Sequence, residues 1–402
     1  MTSPLWTSAD AIAATGGETS ADWDATGISI DTRSLQPGDL FVALKDQRDG
    51  HEFAQAAFVA GASAALVDHE LEGCGPQLVV KDVLPALEAM GIAARARSGA
   101  IRTAVTGSVG KTSVKEMLAR IYHAAGAAHW SVKSFNNHWG VPLTLARMPE
   151  NTERAVFEIG MSTPGEIAPR SAMVRPNHAI ITMIAGAHLE GMGSIEAVAK
   201  EKAAVFSGLE IGGSAILPAD DNFHEALKAM ALEHQPKAKF YAFGRSAEKG
   251  AIITSYETDG ETSTIGINVL GETVSTNLNA VGEHWAWNAA IALLSAKLAG
   301  IDASQAAEAL TGYTPPPGRG TSESLALPGG GEITLIDDAY NANPESMRAA
   351  LNSLNSRPEG RRILALGEML EIGEMSEFEH AALSHPVIAA EADIVFLAGA
   401  EM

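Results

Sequence analysis

Apolar and polar positions fall in short blocks along this chain, a strand-length run followed by a helix-length one, over most of its 402 residues. In the first hundred residues "GISIDTRSLQPGDLFVAL" predicts two strands around a Pro-Gly turn. "HEFAQAAFVAGASAALVD" predicts a helix, a glycine stop and a strand, and a further helix follows near "LPALEAMGIAARARS". The strand "IRTAVTG" then opens a second block. From there to 313 strands and helices alternate again, the pattern of a mostly parallel sheet with helices on both faces. One segment departs from it: "AIITSYETDGETSTIGINVLGETVSTNLN" is rich in Thr, Ser, Val and Ile with Asp-Gly and Gly-Glu turns, and predicts an antiparallel meander at the sheet's edge. "TPPPGRG", residues 314–320, is a stiff Pro-rich linker. Beyond it a strand "ITLIDDAY", a helix "PESMRAALNSLN" and the strands "RRILALGEM" and "DIVFLAG" predict a third domain with only three strands, which reads as unfinished. The expected fold is α/β in three domains, 1–98, 99–313 and 314–402.

Composition narrows the function classes. With 46% hydrophobic and 19% charged residues the chain is expected to fold around real cores, not to be disordered. A formal charge of −21 argues against nucleic acid or an anionic membrane as partner, since both need a positive surface. Anionic small molecules remain open, because local Arg and Lys can hold them. Cys74 is the single cysteine, so intrachain disulfides and thiolate metal clusters are excluded, and a reducing cytoplasm is expected. The start "MTSPLWTSADAIAATGG" lacks the basic end and apolar core of a signal peptide, and "HAIITMIAGA" is too short to span a membrane and reads as a buried strand.

The chemistry concentrates in a few places. "TGSVGKTS", 106–113, follows a strand and precedes a helix, so its backbone N–H groups and the helix start would face an anion. Its glycine spacing is one residue shorter than the commonest phosphate loop. Lys111 would reach β- and γ-phosphates, and Thr112 would offer its hydroxyl to Mg²⁺. "AVFEIGMS" sets Glu158 near the carboxyl end of an apolar strand, where a charge needs a partner or a metal. His188 follows another strand; a structural role competes with metal binding there. In "IEAVAKEKAAVFSG", Val198, Lys202, Val205 and Phe206 share one helix face and Lys200 lies opposite with Glu196, so Lys202 points inward and Lys200 to water. Lys202 could pair with a carboxylate, snorkel, or react with a lowered pKa. "GEHWAWNAAIA" spaces His284 and Asn288 one helical turn apart, for an adenine edge or for a helix cap. "DDAYNANPESM" gathers acceptors at a strand end that suit a ribose or an ammonium group, though turns favour the same residues. Arg319 in "PPPGRG" stands where a cation could reach a γ-phosphate.

Taken in order, "TGSVGKTS", "FNNHWGVPLTL", "EIGMSTPGEI", "ITMIAGAHLEGMGS", "AKEKAAVF", "GEHWAWNAAIA", "PPPGRG" and "DDAYNANPESM" resemble the Mur ligase family, from about residue 29 to 402. The resemblance implies an N-terminal UDP-binding domain, a central ATPase and a Rossmann-like C-terminal domain. Its chemistry is an ATP-dependent joining of a carboxylate to an amine through an acyl phosphate. "YNANPESM" and "NNHWGVPLTL" are similar to the member that adds D-alanyl-D-alanine to UDP-N-acetylmuramoyl-tripeptide. Lesser alternatives are the tripeptide synthetase that precedes it, folylpolyglutamate synthetase, an NTPase switch and an inactive UDP-sugar binder. The resemblance further implies that Thr106, Gly107, Ser108, Val109, Gly110, Lys111, Thr112, Ser113, Asn288, Arg319 and Asp338 hold ATP. It implies two Mg²⁺ ions on Thr112, Glu158, His188 and a carbamylated Lys202, and a UDP-sugar held by Thr32, Arg33, Asn136, Asn137 and Thr144. Lys111, Glu158, His188 and Lys202 would be catalytic, in a chain expected to act as a monomer without nucleic acid or membrane insertion. Relatives carry a further Lys-Gly-Ser segment that this sequence lacks, so the third domain is expected to be incomplete.

Overall fold

The strand Asp39–Val42 is buried at all four positions, and its neighbour Ala64–Val67 likewise, which is why Leu40–Val42 and Ala64–Val67 read as unbroken apolar runs instead of alternating ones. In this computed structural model the described residues are 3–186, 189–357 and 360–402. They form two compact units, residues 1–102 with 127–157, and residues 103–126 with 158–402. The first unit holds a five-stranded sheet in the order Glu18–Thr19, Gln77–Val79, Ala64–Val67, Asp39–Val42, Gly27–Ser29. Successive side chains go to opposite faces: Leu40, Val42 and Leu66 join a core with Trp6, Leu87 and Met90, while Phe41, Ala65 and Val67 join another with Ala54 and Ala57. The expected strands around Pro37 and Gly38 are present, but Gly27–Ser29 and Asp39–Val42 run parallel, so residues 30–38 cross over and do not form a hairpin. Helix Val83–Arg97 packs on helix Gly140–Ala146, and the parallel strands Ala128–Trp130 and Arg154–Glu158 flank the latter in sequence.

The second unit contains seven strands in the order Glu272–Leu278, Ser263–Val269, Gly250–Thr258, Lys239–Gly244, Ser214–Pro218, His178–Ile181, Ile101–Thr106. Every pairing is parallel from Ile101–Thr106 to Gly250–Thr258, and the last two are antiparallel, the expected edge meander. Helix Lys111–Ala125 buries Val114, Met117, Leu118, Ile121 and Tyr122, a stripe at spacings of three and four, and packs on His284–Leu298. That second helix is buried almost all round, and its alanines let neighbours approach closely.

Residues 321–402 add an antiparallel pair, Thr321–Ala326 with Glu332–Asp337, and a parallel pair, Ile363–Gly367 with Ile394–Ala398, with helices Pro344–Leu354, Ser376–Ala382 and Ser384–Ala389. The segment therefore has four strands among its described residues, not the expected three. "TSESLA" carries too little β-branched or aromatic character to be read as a strand alone; its hairpin partner makes it one. Among the described residues no helix is long and apolar enough to cross a membrane.

His178 lies buried in its strand with neither ring nitrogen hydrogen-bonded, and burial, helped by Lys239, pushes its pKa down to about 4. The unfolded chain takes up this proton near pH 6.5, so protonation favours unfolding. The stability that comes from keeping the ring neutral is complete above about pH 6.5 and is lost as the pH falls toward 4. At about 1.4 kcal/mol per pH unit the loss is about 2 kcal/mol at pH 5. Denaturant titrations at pH 7 and 5 should show a flatter pH dependence for His178→Phe than for the parent; identical slopes would place the acid sensitivity elsewhere.

A nucleotide loop with two lysines on one carbonyl

The loop begins where Thr106 ends its strand beside Ile181 of the parallel neighbour. Gly107 and Gly110 take φ of 144° and 84°, conformations that side chains resist. Space is equally short. A Cβ on Gly107 would overlap the Thr182 hydroxyl, and one on Gly110 would stand 2.8 Å from Asn288 Oδ1. Ser108 ties the loop to the segment after His178–Ile181. Its N–H donates to Met183 O at 2.9 Å, and its hydroxyl donates to Ala185 O and accepts from Ala185 N–H, both at 3.0 Å. Thr182 completes the lacing by donating to Val109 O. Gly110 caps helix Lys111–Ala125 without a side-chain bond, so the first-turn N–H groups are left for a ligand. Ser113 is buried in that first turn, and the Thr106 hydroxyl is buried with no hydrogen-bond partner.

Around this loop the structure gathers most of the expected residues. Lys111 Nζ donates to Gly107 O at 2.8 Å, and Lys202 Nζ donates to the same oxygen at 2.9 Å. Thr112 Oγ1 donates to Glu158 Oε2 at 2.9 Å, and Glu158, the last residue of its strand, is 1% exposed. Burial lowers the pKa of Lys111; the Arg319 charge adds to this and Glu158 opposes it. Lys202, also 1% exposed, is pushed well below the ordinary lysine range by burial and then by Lys111, with Glu201 opposing. The helix-face expectation holds: Val198, Lys202, Val205 and Phe206 are buried, and Lys200 and Glu196 are exposed. Ser194 caps that helix by accepting from Ala197 N–H at 3.2 Å.

Other expected residues sit at greater remove. Arg319 is half-buried, its guanidinium 4.1 Å from the ring centre of Tyr340. Asp338 follows the Glu332–Asp337 strand; its side chain is exposed by area, yet surrounding protein pushes the carboxyl up to about 6 against the pull of Arg319. With its carboxyl at about 6, Asp338 is ionised at neutral pH. His284, half-buried at the start of its helix, has its pKa pushed by burial to about 4 and so presents a neutral imidazole. His188 lies outside the described residues. Two residues that sequence reasoning missed hold the site together. One is Thr182; the other is Asp221, which accepts from Ile184 N–H and Phe223 N–H, each at 2.8 Å. Asp221 follows the strand Ser214–Pro218, and the carboxyl end of a parallel strand was the available signal.

The residues expected at a UDP-sugar belong to the first unit. Thr32 and Arg33 form a turn after Gly27–Ser29, and Arg33 grips Asp31 with Nε to Oδ1 at 2.9 Å and Nη2 to Oδ2 at 2.6 Å. That guanidinium holds the Asp31 carboxyl down at about 2. Asn136 and Asn137 are half-buried, and Asn137 Oδ1 accepts from Gly140 N–H at 2.9 Å, opening the Gly140–Ala146 helix. Thr144 is turned inward: its hydroxyl donates to Gly140 O at 2.8 Å, and its carbonyl meets His129 Nε2 at 2.7 Å.

Family comparison fits this geometry. The Mur ligase middle domain matches residues 105–296, and the Mur ligase glutamate ligase domain matches residues 326–402. The chain is 38% identical over 390 residues to the UDP-N-acetylmuramoyl-tripeptide--D-alanyl-D-alanine ligase of Escherichia coli (strain K12), covering 94% of this chain and 82% of that one. It is 32% identical over 398 residues to the ligase of that name from Rickettsia prowazekii (strain Madrid E), covering 98% and 87%. The chain belongs to the Mur ligase family. The crystal structure of MurF from Acinetobacter baumannii matches this Mur ligase with a TM-score of 0.86 at 28% identity, over 98% of this chain and 86% of that one. The nucleotide loop and the lysine-bearing helix both fall inside the matched middle domain of the Mur ligases.

The crowding at Gly107 gives a direct test. Gly107→Ala adds both a disfavoured φ and an overlap with Thr182, so calorimetry should show ATP affinity falling at least about tenfold, the effect of roughly 1.4 kcal/mol of strain. Because φ stays strained, Thr182→Ala should not restore it. Unchanged ATP affinity in Gly107→Ala would mean that the loop does not face the nucleotide.

Proposed function

We propose that this chain is the ATP-dependent ligase that joins D-alanyl-D-alanine to UDP-N-acetylmuramoyl-tripeptide, a cytoplasmic step of peptidoglycan precursor synthesis. The observation that carries this reading is the run of relatives with that name, 30–38% identical across 88–98% of the chain. The nucleotide loop supports the chemistry.

The backbone N–H groups of the loop and Lys111 hold the β- and γ-phosphates. The loop backbone is tied down before the substrate arrives, and Lys111 exchanges its bond to Gly107 O for the phosphates. The tripeptide's terminal carboxylate attacks the γ-phosphorus, ADP leaves, and an acyl phosphate forms. The amine of D-alanyl-D-alanine adds to its carbonyl carbon, a proton is lost from nitrogen, and the tetrahedral intermediate expels phosphate. We assign Asn288, close against Gly110, to the adenine, Asp338 to the ribose and Arg319 to the γ-phosphate.

The buried pairing of Thr112 Oγ1 with Glu158 Oε2 sets two hard oxygens side by side, a donor set that suits Mg²⁺. Bound there, with His188 as a further ligand, Mg²⁺ would neutralise phosphate charge. Lys202 is buried and its pKa lowered, so its amine is free to add to CO₂. A C–N bond forms, one N–H proton leaves, and the neutral amine becomes an anionic carbamate whose oxygens would be offered to a second ion. Thr32, Arg33, Asn136, Asn137 and Thr144 are assigned to the UDP-sugar, with Thr144 acting through the helix it braces.

Phosphate release should require ATP, UDP-tripeptide and D-alanyl-D-alanine together. Release without the amine substrate would favour an NTPase switch. Lys111→Ala should cut turnover at least about 10²-fold, the scale of a lost electrostatic donor. Lys202→Ala should abolish most activity and recover part of it in short-chain carboxylates, while Lys200→Ala stays near the parent. An essential Lys200 with a dispensable Lys202 would overturn the assignment.

A further inference from the structure

Three ligand atoms in the first unit converge where the reaction uses nothing. His51 Nε2, Asp68 Oδ1 and His69 Nδ1 lie within 4.8 Å of one another. His51 is buried, and its Nδ1 is 2.6 Å from Asp49 Oδ1, which also accepts the His51 backbone N–H at 3.0 Å. That contact makes Nδ1 the protonated nitrogen and leaves a lone pair on Nε2. Nε2 accepts one bond of 3.1 Å from Asp68 N–H, and it also faces Asp68 Oδ1 at 3.2 Å. An imidazole lone pair and a carboxylate oxygen at that distance repel unless a cation or a proton stands between them. His69 Nδ1 meets the same oxygen at 2.6 Å, its ring stacked on that of His51 with centres 4.8 Å apart. Lys45 Nζ takes the other oxygen, Oδ2, at 2.6 Å, so Oδ1 is the oxygen turned toward the imidazoles.

We propose that His51, Asp68 and His69 form a binding site for a divalent transition-metal ion of the Zn²⁺ class. Two imidazoles and one carboxylate suit Zn²⁺, Co²⁺ or Ni²⁺ and disfavour Mg²⁺. The outer contacts are already in place: Asp49 fixes the His51 tautomer, as the carboxylate behind a ligating histidine does, and Lys45 orients Asp68. With metal–ligand distances of about 2.0–2.2 Å, tetrahedral donors stand about 3.3 Å apart. The His51–Asp68 separation of 3.2 Å already fits. The Asp68–His69 contact must open by less than about 1 Å, and the His69 side chain, 56% exposed, has room to move. The ion replaces the long Asp68 N–H bond to Nε2 and leaves its fourth position to water. Bound there, it clamps the Lys45–His51 turn to the end of the Ala64–Val67 strand.

Untagged protein should be titrated with Zn²⁺ and with Co²⁺ in excess Mg²⁺, following heat, Co²⁺ visible absorption and Tm. The expected result is one ion per chain at micromolar affinity, tetrahedral-type Co²⁺ bands and a Tm raised by Zn²⁺. His69→Ala and Asp68→Asn should each weaken binding at least about tenfold, and Asp49→Asn by about 10–100-fold. His69 is exposed, so His69→Ala should keep the parent's circular dichroism and ATP affinity. No bound ion in excess Mg²⁺ would leave a proton as the bridging cation and overturn the proposal. Equal affinity and an unchanged Co²⁺ spectrum in His69→Ala would overturn it as well.

Discussion

Two lysine side chains reach one backbone oxygen, and the nucleotide site is arranged around that shared contact. Lys111 and Lys202 both bond Gly107 O, at 2.8 and 2.9 Å. Two ammonium groups bonded to one oxygen at such distances repel by roughly 3 kcal/mol at an effective dielectric near 20, and a hydrogen bond to the carbonyl returns only about 1 kcal/mol net. The pair is tolerable when one nitrogen is a neutral amine. Lys202 is the more completely buried of the two, and its pKa is pushed down by burial and by Lys111 against Glu201, while Glu158 supports the charge on Lys111. The loop thus holds two lysines whose charge burial disfavours, that of Lys202 most strongly.

This contact persists because the loop cannot drift. Ser108 is bonded to Met183 and Ala185, Thr182 to Val109, and Asp221 holds Ile184 from the next strand. Each anchor leaves the carboxyl end of a parallel strand, so the sheet sets the spacing and the loop inherits it. Glycine at 107 follows from the same crowding, since the Thr182 hydroxyl occupies the space a Cβ would need.

Local signals were strong where one element decides its own fate. The strand–loop–helix at 101–125, the meander at 250–278 and the inward face of Lys202 all follow from spacing within a single segment, and the structure has each of them. Signals failed where a partner decides. Gly27–Ser29 and Asp39–Val42 pair in parallel because residues 30–38 are long enough to cross over, which a Pro-Gly dipeptide does not reveal. Thr321–Ala326 is a strand because Glu332–Asp337 lies beside it, although its own composition is poor for one. Asp221 carries no motif, and Thr182 sits unmarked inside "ITMIAGAHLEGMGS"; their roles appear only once the strand ends are side by side.

The sequence by itself determined the α/β class, the phosphate loop and the side of the helix on which Lys202 lies, because those depend on residue type and on separations of a few positions. The tertiary structure decided which groups share an oxygen. It brought Lys202 to a carbonyl 95 residues away, Glu158 to a hydroxyl 46 residues away, and Asp68 beside His51 across 17 residues. Hydrogen bonds and charges act over a few ångströms of space, and only the folded sheet turns those sequence separations into such distances.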